Sequence, residues 1–158
     1  RLADGHPAPR LAGADEELTL QLLPARTPPG SAGHAPLRQY KRLCDVLLPA
    51  LRARSHLFNL IHRNHANCSL VLSHGGRALG GATFHMAHAP AEGGSVLLLE
   101  VLLLVVEQRQ GVCGKGHGTR LVNAAKALVV EEAARLGARP VLLTQCDIGL
   151  QARLFWTR

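Results

Sequence analysis

The sequence predicts an α/β (α+β) domain, with a mixed central sheet and helices on both faces. Three observations carry that prediction. Val96–Val106 is an almost continuous aliphatic run bounded by turn residues, the pattern of a central strand buried on both faces. From Gly116 to Leu136, the positions Leu121, Ala124, Ala125, Leu128, Val129, Ala133 and Leu136 share one face of a long helix. A glycine-rich turn joins the two, and a further apolar run, Arg139–Cys146, follows. Strand, turn, helix and strand make a βαβ unit, so these strands should be parallel.

The remaining elements follow in chain order. Residues 1–16 are rich in Ala, Pro and Gly and read as a flexible leader, with the folded domain over residues 17–158. Leu18–Leu23 alternates apolar and polar residues, as a strand does. After a Pro/Gly/Ser loop, Leu37, Tyr40, Leu43, Leu47 and Leu51 recur at helical spacing, which predicts a helix or helix pair interrupted near Pro49. Asn67–Ser73 and Ala78–Ala87 read as a hairpin, because Gly75-Gly76 supplies positive φ without steric cost. Ala89–Gly94 reads as a second glycine-rich loop. Leu150–Arg158 begins a last helix. The chain starts at Arg1 and stops within that helix, so it is expected to be an excerpt of a longer protein that lacks the last strands of its fold.

Composition bounds the function. The 158 residues suffice for one buried core. One Trp, one Tyr and three Phe leave the core to Leu, Val and Ala. The net charge of +7 favours anionic partners, whether phosphate, nucleic acid or an acidic cofactor. No run of five or six Lys/Arg and few aromatics are present, which argues against direct nucleic-acid binding. The four cysteines (Cys44, Cys68, Cys113 and Cys146) form no CxxC pair and suit a reduced, intracellular compartment. The run Val96–Val106 is too short to span a bilayer and is interrupted by Glu100, and no signal peptide is visible.

The turn itself carries the most chemistry. Gly114-Lys115-Gly116-His117-Gly118-Thr119 sets three glycines at alternate positions before a helix start. Glycine lets the backbone approach a ligand, and the first helical amides with the helix dipole favour an anion. A flexible surface turn is the plainer reading. The Walker pattern fails, because Lys115 precedes Gly116 rather than Ser or Thr, and Arg109 stands where its first glycine belongs. The dinucleotide pattern fails because Thr119 or Leu121 occupies its third glycine position.

With Gly116 and Gly118 as its two glycines, the turn is similar to the acetyl-CoA pattern R/Q-x-x-G-x-G/A. The run Phe58–His65, Gly80-Gly81-Ala82-Thr83-Phe84, Lys115-Gly116-His117-Gly118-Thr119-Arg120-Leu121-Val122-Asn123 and Ala152-Arg153-Leu154-Phe155-Trp156 follow one another along the chain. This series resembles the GNAT superfamily of N-acetyltransferases, closest in motif to PCAF-type histone acetyltransferases. Cys113 stands where the pattern has Arg or Gln. Trp156 stands where many members carry a tyrosine that protonates the leaving thiolate, a task an indole cannot perform.

The resemblance implies acetyl-CoA as co-substrate and no metal. It implies that Gly114, Lys115, Gly116, His117, Gly118 and Thr119 hold the pyrophosphate, and that backbone groups of Leu104, Val105 and Val106 meet the acetyl carbonyl and pantetheine arm. It makes Glu100, the one ionisable side chain in the aliphatic run, the general base. An apolar environment makes a carboxylate more basic, and a protonated amine must lose a proton before attacking a thioester. A glutamate facing solvent or paired with an arginine is the structural alternative.

The expected acceptor is a protein lysine of histone type, and the expected partner is a larger chromatin-associated chain or complex, in the nucleus or cytoplasm. A small-molecule amine, or a non-catalytic acyl-CoA-binding role, are the alternatives. His62 and His65 have HxxH spacing without a third ligand, so packing or exposure is favoured over zinc. Cys113 near a helix start could be a reactive thiol, but no Cys-His-acid pattern accompanies it. His85 and His88 could line a substrate groove, although plain exposure is the simpler expectation.

Overall fold

The computed structural model describes residues 18–52, 56–109 and 114–144. In chain order these form β1 (Leu18–Pro24), α1 (His34–Leu47), α2 (Pro49–Arg52), α3 (His56–Phe58) running into a π-helical turn (Asn59–Arg63), β2 (Asn67–His74), β3 (Arg77–Ala91), β4 (Gly94–Val106), α4 (His117–Leu136) and β5 (Arg139–Thr144). The sheet is mixed, with order β1-β2-β3-β4-β5. The first four strands form an antiparallel meander, and β5 runs parallel to β4. The leader, Cys113, Cys146 and the last helix with Trp156 lie outside the described residues.

Two turns set the meander. Gly75 and Gly76 both take positive φ (54° and 74°), as the two-residue turn between β2 and β3 requires. The expected loop Ala89–Gly94 is shorter than its composition suggested. Strand β3 continues to Ala91 and pairs with Gly94, leaving only Glu92 and Gly93 in the turn. Alternating small residues between Ala87 and Ala91 read as loop but are tolerated in a strand that has a long aliphatic partner.

Each face of the sheet carries its own core. On one, α4 lays Leu121, Ala125, Val129 and Ala133 against Leu70, Phe84, Leu97, Leu99 and Val101. On the other, α1 and the π-helical turn set Leu37, Tyr40, Cys44 and Ile61 against Val71, Leu103 and Val105. Fully burying one such leucine stabilises the fold by about 1.5–3 kcal/mol. Two of the scarce aromatics, Tyr40 and Phe84, sit at the centre and are both fully buried.

A single irregularity in β4 links the two cores. Thr83 pairs with Leu103 and Phe84 with Val101, so Leu102 is an extra residue, a β-bulge. Before it, odd-numbered β4 side chains face α4; after it, Leu103 and Val105 face α1, and Leu104 and Val106 pack toward the α4 side. Among the described residues no helix is long and apolar enough to cross a membrane.

Candidate active site

The far half of β4 has one bonded edge. Strand β5 pairs only with Val96–Val101, so among the described residues Leu102–Val106 is paired on the β3 side alone. The Glu107 amide donates to the Leu79 carbonyl at 2.7 Å. Alternation in an antiparallel ladder then turns the N–H and C=O groups of Leu103 and Val105 toward β3, and those of Leu104 and Val106 toward the other edge. Of the three residues expected to offer backbone groups to a ligand, Val105 is thus engaged within the sheet. Gly80 is what lets β3 approach so closely: a Cβ there would lie 2.7 Å from the Val105 carbonyl oxygen.

Beyond β4 the chain turns into α4. Gly116, the residue before the helix, is left-handed (φ 74°), and Gly114 has φ 81°. A Cβ at either position would meet no atom within 4 Å, so the turn presents bare backbone. The helix closes its first bond from the Arg120 amide to the Gly116 carbonyl at 2.9 Å. The Gly118 and Thr119 amides precede that bond, where a helix supplies no acceptor of its own. No acidic side chain stands in the first turn of this 20-residue helix. Lys115 and Thr119 are exposed, whereas the His117 side chain is buried. Open glycine backbone, first-turn amides and a half-paired strand edge are the features a pyrophosphate with an extended amide-bearing arm requires, and these residues fit such a group.

At the loop's other end Glu107 is 6% exposed and lies between Arg77 and Arg109, with Arg109 Nε 2.9 Å from its Oε1. Its second oxygen is buried without a hydrogen bond among the described residues. Two guanidinium groups offset the burial of one carboxylate and tie the β2–β3 turn to the start of the glycine loop. Sequence reasoning missed this tether, because Glu107 reads as an ordinary loop residue.

Glu100 lies earlier on β4, opposite His85 of β3. Its carboxylate is 24% exposed and stands 3.5 Å from His85 Nδ1. The surroundings are therefore less apolar than the aliphatic run implied, because the side chain leaves the plane of its leucine neighbours. Both groups are on the α1 face: Thr83, two residues before His85, donates to the Tyr40 hydroxyl at 3.3 Å and shares a 2.9 Å hydrogen bond with Ser69.

The other candidates are dispersed. His62 stacks near Phe58 with ring centroids 5.2 Å apart, and burial lowers its pKa. His65 and His88 are exposed. Among the described residues no three His, Cys, Asp or Glu side chains are placed to hold a metal ion. Cys44 and Cys68 are buried free thiols, and burial pushes Cys44 up to about 12. A thiol so held is a poor nucleophile.

No protein-family model matches the chain and no curated protein does, but solved structures resemble it. One is the aminoglycoside acetyltransferase meta-AAC0020 from an uncultured soil metagenomic sample, with TM-score 0.62 and 18% identity over 91% of this chain and 87% of that one. Another is a ribosomal-protein-alanine N-acetyltransferase from Brucella melitensis biovar Abortus 2308, with TM-score 0.62 and 16% identity over 89% and 88%. A third is AAC(6')-Iy in complex with the bisubstrate analogue CoA-S-monomethyl-acetylneamine, with TM-score 0.59 and 15% identity over 88% and 86%. No histone acetyltransferase is among these three, so the PCAF-type closeness suggested by the motifs has no counterpart there. The chain has the fold of the GNAT acetyltransferases.

Proposed function

We propose that the chain transfers acetyl from acetyl-CoA to a primary amine. The observation that carries this reading is the one-sided stretch of β4 running into the bare glycine turn of α4. The amides of Gly118 and Thr119, with Lys115, would hold the pyrophosphate. Backbone groups of Leu104 and Val106 would hold the pantetheine arm and the acetyl carbonyl, where a donor stabilises the developing oxyanion. Glu100 would accept the proton of the attacking amine, directly or through water, and His85 would hold its carboxylate toward the α1 face. The amine nitrogen forms the new C–N bond, the C–S bond breaks, and its electron pair leaves with the thiolate. The proton taken by Glu100 passes to that thiolate or to solvent.

A histone-type lysine as acceptor, with the chromatin partners and nuclear setting it implies, rests on the motif resemblance alone. A small-molecule amine is the second reading, favoured by the aminoglycoside acetyltransferases among the structures of this fold.

Calorimetric titration of acetyl-CoA and thiol release with a panel of amines test the reading together. Acetyl-CoA should bind, and E100Q should keep that binding while turnover falls roughly 10²–10⁴-fold, the range of general-base loss. The loss should shrink as pH rises, because more acceptor is then already neutral. Near-wild-type turnover, measured where chemistry limits the rate, would show Glu100 to be structural. Binding without turnover on any amine would reduce the chain to an acyl-CoA-binding module.

A further inference from the structure

A cleft of about 750 Å³ lies between α1, the β1–α1 loop and the π-helical turn, a volume within the range of small-molecule sites. Its lining is strongly basic: Arg26, His34, Arg38, Lys41, Arg42 and His62. Positions 34, 38, 41, 42 and 45 form one stripe of α1, beside the stripe that packs on the sheet. The cleft is preformed. Thr27 donates its amide and its hydroxyl to the Pro24 carbonyl, at 3.1 and 2.6 Å, and Ser31 does the same to Pro28, at 3.2 and 2.7 Å. These two turns fix the loop that carries Arg26. No residue of β4, of the glycine turn or of α4 lines the cleft. Between Ala25 in its wall and His85 stands Asn67, which is 1% exposed and donates to the Leu60 carbonyl at 2.9 Å. The cleft is therefore a chamber of its own, closed off from the candidate active site along that row.

Its charge is not balanced from within. Asp45 is the one carboxylate in the lining, and Lys41 already engages it at 2.6 Å. Among the described residues Arg26, Arg38 and Arg42 form no ion pair. His62 feels the same field: burial first, and then the charges of His34 and Lys41, lower its pKa. Three guanidinium groups around one cleft repel one another unless an anion joins them, and each takes a phosphate or carboxylate in a forked contact on two oxygens. Three forks draw on about six oxygens, roughly twice what one phosphate group offers. A lone carboxylate satisfies one fork only, whereas linked phosphates supply the oxygens and the charge in one molecule. A nucleic-acid strand would also need a ring on which to stack its bases. Phe58 is the aromatic ring of the lining, and His62 and Arg63 already engage it.

We propose that this cleft binds a chain of two or three linked phosphates, free or carried by a nucleotide, at a site separate from the glycine turn. Arg38 and Arg42 hold the phosphates from adjacent turns of α1, and Arg26 closes on them from the β1–α1 loop. The proposal goes beyond the acetyltransferase reading and stands whether or not the chain turns over acetyl-CoA.

The test titrates tripolyphosphate, pyrophosphate, inorganic phosphate and ATP by calorimetry, each with and without saturating CoA to fill the glycine turn. With CoA present, tripolyphosphate and pyrophosphate should bind at least tenfold tighter than phosphate, and the gap should narrow at high salt. R38E/R42E should abolish the gap at an unchanged urea midpoint, and R26Q, in the loop, should narrow it. K126E, a charge change on exposed α4 surface, should leave it intact. Tripolyphosphate should also raise the His62 pKa, read from its ring proton shifts, because a nearby anion favours the charged imidazole. ATP binding at least as tightly as tripolyphosphate marks a nucleotide ligand, and weaker ATP binding marks the bare phosphate chain. Equal binding of all four anions, no binding by any, loss of binding when CoA is present, a gap that survives R38E/R42E, or an unmoved His62 pKa overturns the proposal. So does a short single-stranded RNA that binds through Arg38 and Arg42 more tightly than tripolyphosphate. Failure of the acetyltransferase reading is separate: CoA would then not bind, and the titrations without it still decide.

Discussion

The two faces of the sheet are built to different rules. On the α4 face, Leu97, Leu99, Val101, Phe84, Leu121 and Val129 meet in an apolar core. On the α1 face the buried layer includes Asn67, Ser69, Thr83 and the Tyr40 hydroxyl, and it gives way outward to His85, Glu100 and a basic cleft. Both cores hold the domain together. The polar face spends part of its packing on groups that can be aimed, because a hydrogen-bonded interior fixes directions that aliphatic packing leaves free.

Four comparisons separate the faces, in falling order of effect. Leu99, fully buried on the α4 face, should lose about 2–5 kcal/mol of stability on change to Ala, read from urea midpoints. A loss below 1 kcal/mol would mean that this core is looser than it looks. On the bulged half of β4, Val105→Pro removes an amide directed into the ladder and should cost about 1–3 kcal/mol more than Leu104→Pro. Leu104→Pro should instead weaken acetyl-CoA binding more than it weakens folding; the reverse ranking would put Val105 at the open edge. Gly116→Val forces a left-handed backbone on a β-branched residue, at about 1–2 kcal/mol. It should lower acetyl-CoA affinity at least tenfold, as should a bulky residue at Gly118; unchanged affinity in the folded variant would remove the phosphate site. Tyr40→Phe, on the polar face, should cost only about 0.5–1.5 kcal/mol. Paired with Thr83→Val it should be less than additive, since both act on one hydrogen-bond chain.

Much of the framework is legible in the sequence because its signals are local. Gly116 and Gly137 bracket α4 and both adopt the left-handed conformation that only glycine takes without strain. The aliphatic density of β4 and the Gly75-Gly76 turn announce themselves in the same way. The bulge does not. A run of leucines and valines has no alternation to betray a shifted register, so nothing around Leu102 marks the point where the side chains change faces. That shift decides which of Leu104, Val105 and Val106 turns its backbone to the open edge of β4. Likewise the partnership of His85 with Glu100 depends on a turn at Glu92–Gly93, and a loop read as Ala89–Gly94 hides the pairing. Glu107 and the basic cleft are assembled from segments far apart in the chain, and periodicity carries no information about such meetings.

The strand order follows the chain order, and this bears on how the domain forms. Each of the first three pairings joins neighbours in sequence, two of them across two-residue turns. Little loop-closure entropy opposes the two hairpins, so β2, β3 and β4 can associate early, on the microsecond scale of hairpin formation. The β1–β2 pairing closes over α1, α2, α3 and the π-helical turn, and the β4–β5 pairing over α4, so both must wait for helices to form and dock. Mutations in the β2–β3 turn should therefore slow folding, whereas mutations in β5 should chiefly speed unfolding. The edge of β4 proposed to hold the acetyl-CoA arm would accordingly be in place before the helix proposed to hold its phosphates has settled against it.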